Sequence, residues 1–505
     1  MKIIKEYLSL TDFSHIVFGN EKITLDETVT NRVKESYLFL ENFSKNKVIY
    51  GVNTGFGPMA QYRIEESDQI QLQYNLIRSH SSGMGKPLHP LFVKATILAR
   101  LNTLALGKSG VNQSVIDLMK ELINRDITPL IFSHGGVGAS GDLVQLAHLA
   151  LVLIGEGEVF YKGERQSTKK VFEQENLQPI TIKIREGLAL MNGTSVMTGI
   201  GIVNALQVDK LIKHSITLSS IINEIVQAYD DHLSEPLNHA KLHKGQHWVA
   251  QQMRMHLEDS QLIRNRQEHL YNGEHKEEIF KEKVQEYYSI RCVPQILGPI
   301  YDTLESVKDI LEKEINSAND NPIIDVQSQQ VYHGGNFHGD YISLEMDKLK
   351  LVVTKLAMLA ERQLNYLMNT KINEILPPFV NLGKLGFNFG MQGMQFTATS
   401  TTAENQTLST SMYIHSIPNN NDNQDIVSMG TNAAVICSNV IENTFEVLAI
   451  ESIALVQAVD ALKCYDKMST ASKGWYNDIR KIIPLFSQDQ VMYPLMEELK
   501  QYLKH

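Results

Sequence analysis

Ala139-Ser140-Gly141 could perform a chemistry that no ordinary side chain supplies. A glycine nitrogen can attack the carbonyl carbon two residues upstream when the backbone folds tightly, because glycine has no β-carbon to clash. Loss of water closes a ring, and loss of the serine hydroxyl leaves an exocyclic methylene on it. Ordinary side chains provide nucleophiles, acids and bases, whereas this group is an electrophile that captures an amine or an electron-rich ring. Gly135, Gly136 and Gly138 let the loop bend. The helix-like segment from Leu143 to Ile154 would point its N-terminus at developing negative charge.

The same glycines fit two other readings. Gly136, Gly138 and Gly141 match the spacing of a dinucleotide-binding turn, and Ile127 to Phe132 could pass for the strand before it. That reading needs strands and helices in alternation. The flanking sequence does not alternate, and Pro129 interrupts the short run. A mobile loop whose glycines merely permit positive φ is the third reading.

Five further blocks stand in order along the chain. They are Tyr50-Gly51-Val52-Asn53-Thr54-Gly55-Phe56-Gly57, Leu190-Met191-Asn192-Gly193-Thr194, Gln285-Glu286-Tyr287-Tyr288-Ser289-Ile290-Arg291-Cys292, Gly334-Gly335-Asn336-Phe337-His338-Gly339 and Asn423-Gln424-Asp425. Together with Gly135 to Leu143 they resemble the aromatic amino acid ammonia-lyase family: the histidine, phenylalanine and tyrosine ammonia-lyases and related aminomutases. Glu286 stands where that pattern has Asp. The resemblance implies that Ala139, Ser140 and Gly141 become methylidene-imidazolone (MIO) autocatalytically, with no external cofactor. It implies elimination of ammonia from an aromatic α-amino acid to give an aryl acrylate.

Under that resemblance Tyr50 is the base that takes the β-hydrogen. A phenol ionises only near pH ~10 unless positive charge or hydrogen bonds favour the phenolate. Tyr288 would hydrogen-bond near the amine. Arg291 would clamp the carboxylate, since a guanidinium fork fits it bidentately. Asn192, Asn423 and Gln424 carry amides suited to the ring oxygen and the carboxylate, Phe337 would pack on the substrate ring, and Glu404 matches a glutamate near the amine. Without the resemblance these residues read as packed aromatics, a surface ion pair and buried amides. Asp142 reads as a helix N-cap. His134, His333 and His338 have no metal-ligand spacing, and no metal is expected.

Ser79-His80 matches the family's substrate switch. A ring donor there can hydrogen-bond a phenol hydroxyl or an imidazole nitrogen, which disfavours plain phenylalanine. Ser-His is common in histidine ammonia-lyases, whereas Asn423-Gln424-Asp425 is the pattern of phenylalanine and tyrosine enzymes. The combination most closely resembles bacterial tyrosine ammonia-lyases. It implies conversion of L-tyrosine to trans-p-coumarate, with His80 holding the hydroxyl. The alternatives are L-histidine to urocanate and a tyrosine 2,3-aminomutase.

Helices must position these blocks. In 341–368, Leu349, Val352, Val353, Leu356, Leu359, Ala360, Leu364 and Leu367 recur at three- and four-residue steps, the mark of one apolar stripe. Segments 431–463 and 194–231 predict two more long helices, 301–316 a shorter one and 91–106 another. Strand signals are confined to 157–161 and 180–184. The implied fold is mainly α, an elongated central bundle of the fumarase/aspartase-like superfamily with a smaller, loop-rich part bearing the MIO site. The expected division is 1–200 for that part and 201–505 for the bundle. The apolar faces exceed what one bundle can cover. With the resemblance, this implies a homotetramer whose active sites draw on three subunits.

Composition narrows the class further. The 505 residues are 43% apolar and 21% charged, as in a soluble protein, and the formal charge of −10 argues against nucleic acid and anionic membranes. Cys292, Cys437 and Cys464 form no CxxC pair and suggest a reduced, cytoplasmic setting. No run approaches ~20 uninterrupted apolar residues, and the N-terminal segment lacks a signal-peptide core. Pro418 to Asn423 is a polar, turn-rich loop, the one low-complexity stretch.

Overall fold

The structure is a computed structural model that describes residues 1–5, 7–45, 47–272, 276, 278–280 and 283–505. The fold is mainly α-helical. Two compact units divide the chain, one of residues 1–206, 307–347 and 411–438, the other of 207–306, 348–410 and 439–505. Four long helices, Ser195–Ile225, Val293–Ile315, Asp340–Met368 and Gly430–Leu462, have residues in both.

The first unit is built around the helix Pro90–Ala105. Every residue from Val93 to Ala105 is buried, so this helix has no solvent face and acts as a core element. All strands among the described residues belong to this unit. Met84–Pro87 pairs antiparallel with Phe132–His134. Thr128–Pro129, Glu158–Tyr161 and Glu164–Ser167 form a three-stranded antiparallel sheet. The expected strand at 157–161 is therefore present. The one expected at 180–184 is absent, because that stretch makes single hydrogen bonds, Ile180 N to Leu153 O (2.9 Å) and Ile182 N to Tyr74 Oη (3.2 Å), rather than a ladder. The dinucleotide reading fails here as well. The residues before the glycines form two short antiparallel pairings, not the parallel sheet it requires.

The regular elements of the second unit are all helices among the described residues. The helix expected at 301–316 starts earlier, at Val293, and carries Pro299 within it. Pro294 sits in the first turn, where a missing N–H costs nothing. The helix expected at 194–231 ends at Ile225, where Gln227 takes a left-handed conformation (φ 51°) that stops propagation.

No described helix is long and apolar enough to cross a membrane.

Candidate active site

Ala139, Ser140 and Gly141 lie between the strand Phe132–His134 and the helix Leu143–Leu153, in the first unit. Each polar atom of the triplet that faces a partner meets a donor from a different segment. His338 Nδ1 donates to the Ala139 carbonyl oxygen (3.2 Å). Asn192 Nδ2 donates to the Ser140 carbonyl oxygen (3.2 Å) and Gln424 Nε2 to Ser140 Oγ (3.1 Å). The loop before the triplet is pinned too. Gly339 N and Ser428 Oγ donate to Gly138 O at 3.1 and 3.0 Å, and Met429 N donates to Val137 O at 2.9 Å.

The far side of the triplet is closed by Gly193. Gly141 (φ 72°) pairs with Gly193 backbone to backbone, and Asp142 N donates to Gly193 O at 2.8 Å. Gly193 in turn rests on a buried charged layer. Arg100 reaches Asn319 Oδ1 (3.4 Å) and the Ala189 carbonyl, and Asn319 Nδ2 donates to Thr194 Oγ1 (2.8 Å). Arg185 and Asp320, both with fully buried side chains, pair at 2.8 Å. Burial lowers the Arg100 guanidinium to about 10 despite nearby Asp320.

Asp142 occupies the N-cap position of Leu143–Leu153, but its side chain does not cap that helix. Its Oδ2 accepts from Val196 N (2.9 Å) and Met197 N (3.0 Å), at the start of Ser195–Ile225, and Thr431 Oγ1 donates to Oδ1. The N-cap reading of Asp142 is corrected accordingly: the carboxylate satisfies the orphan donors of a different helix.

A cavity of about 230 Å3 opens on Ser140, with His80, Val144, Asn419, Asn420 and Gln424 in its wall. It is smaller than the ~300–1,000 Å3 typical of drug-sized ligands and suits something the size of one amino acid. His80 is the last residue of the helix Gln69–His80. Its Nδ1 lies 3.0 Å from the Leu76 carbonyl oxygen. Ser79 Oγ lies at the same 3.0 Å from Nδ1 and itself donates to the Leu76 carbonyl (3.1 Å), so with the proton on Nδ1 shared between these two oxygens, Nε2 of the neutral ring is an acceptor. Burial pushes the His80 pKa below its ordinary value, opposed by that hydrogen bond.

Tyr50 is not in the cavity wall. Its Oη accepts from Gly57 N (3.0 Å), its N donates to His333 Nε2 (3.4 Å), and its ring packs edge-on against Phe56. Phe337 is half-buried and Asn423 exposed, and neither lines the cavity. Tyr288, Arg291 and Glu404 belong to the second unit. There the Arg291 guanidinium lies over the Tyr288 ring at 4.4 Å, and Glu404 Oε2 accepts from Asn443 Nδ2 at 3.0 Å. The structure thus gathers the triplet, His80, Asn192 and Gln424. His338 is a contact that spacing reasoning did not assign, although its glycine-flanked block was the available signal.

These residues fit an imidazolone formed from the triplet. Asn192 already donates to the Ser140 carbonyl, the one the ring would keep, His338 and Gln424 reach the two oxygens that would leave as water, and Gly141 sits where only glycine fits. Asn192 Oδ1 is buried with no partner, leaving its amide free to settle on a changed group. Among the described residues no cluster of three or more His, Cys, Asp or Glu is placed to hold a metal ion.

A family profile described as "Aromatic amino acid lyase" matches residues 8–481. The chain is 38% identical over 498 residues to a histidine ammonia-lyase of Bacillus subtilis, covering 98% of this chain and 95% of that one. Among solved structures it resembles a tyrosine aminomutase of Streptomyces globisporus at 32% identity and TM-score 0.95, covering 100% and 96% of the two chains. A histidine ammonia-lyase of Trypanosoma cruzi matches at 28% identity and TM-score 0.89, covering 100% and 93%.

Proposed function

The chain belongs to the aromatic amino acid lyase family, and from that premise we propose that it eliminates ammonia from an L-amino acid whose aromatic ring bears an N–H or O–H. It is a carbon–nitrogen lyase. The observation that carries the site assignment is the triple hold on Ala139 and Ser140 by His338, Asn192 and Gln424. An MIO group made from Ala139, Ser140 and Gly141 would supply an electrophile for the substrate amine.

The chain's own residues do the rest. Asn192 orients the Ser140 carbonyl that the ring keeps, and His338 holds the Ala139 carbonyl for ring closure. Tyr50 Oη takes the β-proton, and the Gly57 N–H faces that oxygen. Arg291 holds the carboxylate as a planar fork, Tyr288 and Glu404 attend the amine, and Phe337 and Asn423 complete the substrate's surroundings. These last residues are dispersed over both units, which supports a site completed by neighbouring subunits of a homotetramer. Phe387, Phe389 and Phe396 stand 64–73% exposed, an apolar surface suited to burial by another copy. A cytoplasmic setting is supported by Cys292, Cys437 and Cys464, which form no disulfide.

The ring donor follows from His80. Its Nε2 lone pair accepts from an imidazole N–H or a phenol O–H, and phenylalanine offers neither. The names of the relatives favour L-histidine, with urocanate as product, over the L-tyrosine expected from sequence. Tyrosine is the second reading, favoured by the neutral Gln424 amide on Ser140 and by the likeness to a tyrosine aminomutase.

Mass spectrometry of the peptide bearing residues 139–141 tests the chemistry: it should lack two waters, and an unmodified triplet in active protein would overturn the proposal. Ser140→Ala should abolish turnover while changing stability by less than ~1 kcal/mol. Parallel assays of urocanate and p-coumarate formation decide the substrate.

A further inference from the structure

Asn420 stands in the cavity wall and also abuts the loop that carries Tyr50. A β-carbon built on Gly57 would lie 2.8 Å from Asn420 Nδ2, so the amide occupies the space that a side chain at 57 would take. Gly57 has φ 53°, and its N–H is the donor that faces Tyr50 Oη at 3.0 Å. The donor that faces Tyr50 Oη is therefore backed by Asn420.

The turn that holds Asn420 is unusual. Asn420, Asn421 and Asp422 are all left-handed, with φ of 55°, 54° and 57°. Asn and Asp visit this region far more readily than other side-chain-bearing residues. The turn is closed by Asn419 N to Gln424 O (3.1 Å) and Gln424 N to Asn419 O (3.3 Å). At its end Gln424 Nε2 donates to Ser140 Oγ. One short turn thus presents one amide to the Tyr50 loop and another to the reacting serine, which explains why an asparagine-rich stretch stands here.

We propose that Asn420 is a positioning residue that sets the Gly57 donor against Tyr50 and so ties the base to the Ser140 cavity. This rests on the reading of Tyr50 as the base. Removing the amide lets Gly57 retreat, weakens its hydrogen bond to the phenolate and leaves substrate affinity little changed.

Asn420→Gly keeps the left-handed backbone at no steric cost and deletes only the amide. It should lower kcat ~10- to 100-fold, as small misplacements of catalytic groups do, with KM within ~2-fold. The acid limb of kcat, which reports the base in the complex, should move to higher pH. Asn420→Asp keeps the size and left-handed tolerance but adds a negative charge near the phenolate, and should move that limb further in the same direction. If Asn420→Gly fails to fold, the Asp variant carries the same pH readout. In both, the peptide of residues 139–141 should still lack two waters. Wild-type kcat and pH profile in both variants would overturn the proposal, as would a triplet left unmodified, since Asn420 would then act on ring formation. Tyr50→Phe separates the two readings. If that variant is inactive while Asn420→Gly behaves as wild type, only the Asn420 proposal falls; if Tyr50→Phe retains turnover, the base reading falls and takes this one with it.

Discussion

Gly141 and Gly193 lie so close that a β-carbon on the first would stand 2.0 Å from the carbonyl oxygen of the second. Gly141 also has φ 72°, where a side chain is strained whatever the space. Gly141→Ala must then push Gly193 away from the triplet. We expect loss of turnover, a triplet that keeps both waters, and destabilisation of ~1–3 kcal/mol from strain and overpacking. Gly335 has nothing within 4 Å of an added β-carbon. Gly335→Ala should therefore leave the melting temperature and the two-water loss at wild-type values. Equal damage from the two changes, measured by intact-mass and thermal unfolding, would contradict this account of Gly141.

Asp142 makes stability depend on pH. Burial pushes its carboxyl up to about 6, against the hydrogen bonds from Thr431, Met197 and Val196 and the charge of Arg100. The folded state therefore holds this proton more tightly than the unfolded chain, whose value is near ~3.9. The associated stability is fully present below pH ~4 and is lost as pH rises through about 6, a change on the order of 3 kcal/mol. Asn at 142 can turn its oxygen to Val196 and Met197 and its nitrogen to Thr431 without ionising. The melting temperature of the wild type should fall relative to Asp142→Asn between pH ~4 and ~7. Parallel melting profiles for the two proteins would sink the argument.

Periodicity disclosed the long helices through apolar residues at three- and four-residue steps, although Gly430–Leu462 is buried on every face from Val447 to Val459. Segment 341–368 is the helix Asp340–Met368, and 431–463 is Gly430–Leu462. The helix expected at 301–316 is longer, Val293–Ile315, and carries Pro299 inside it. The glycine blocks announced the triplet, since a backbone that must approach another backbone leaves few residue choices. What joins them was not legible. His338 meets Ala139 across 199 positions, and Asn420 meets Gly57 only because three residues in a row turn left-handed. No local pattern encodes such contacts. Asp142 shows the same limit, its side chain serving a helix that begins at Ser195 instead of the one it precedes.

His80 should govern discrimination at the substrate ring. With Nδ1 committed to Leu76 and Ser79 and Nε2 a bare acceptor, a substrate lacking a ring donor leaves a polar atom unpaired. His80→Leu should cut the preference for the ring-donor substrate over L-phenylalanine by at least ~100-fold in kcat/KM. Burial holds the His80 pKa below its ordinary value, so the ring is neutral at pH 7 and loses its acceptor only on acidification. KM for the wild type should accordingly rise at acid pH, and this rise should be missing in His80→Leu. An unchanged preference in steady-state kinetics would remove His80 from the specificity site.

Gln424 offers a test of histidine against tyrosine. The cavity wall that it shares with His80 and Ser140 contains no carboxylate. Gln424→Glu would introduce one, at the cost of the hydrogen bond donated to Ser140 Oγ in the triplet before ring formation. An imidazole can take a proton near neutral pH, whereas a phenol cannot become cationic. The added charge should therefore favour L-histidine over L-tyrosine, and increasingly so as pH falls toward ~6, where the free imidazole begins to protonate. The ratio of kcat/KM for the two substrates should rise ~10-fold or more in the variant, which corresponds to about 1.4 kcal/mol of differential stabilisation. Loss of both activities in equal proportion would show that the amide serves the Ser140 group alone and leaves the choice of ring to His80.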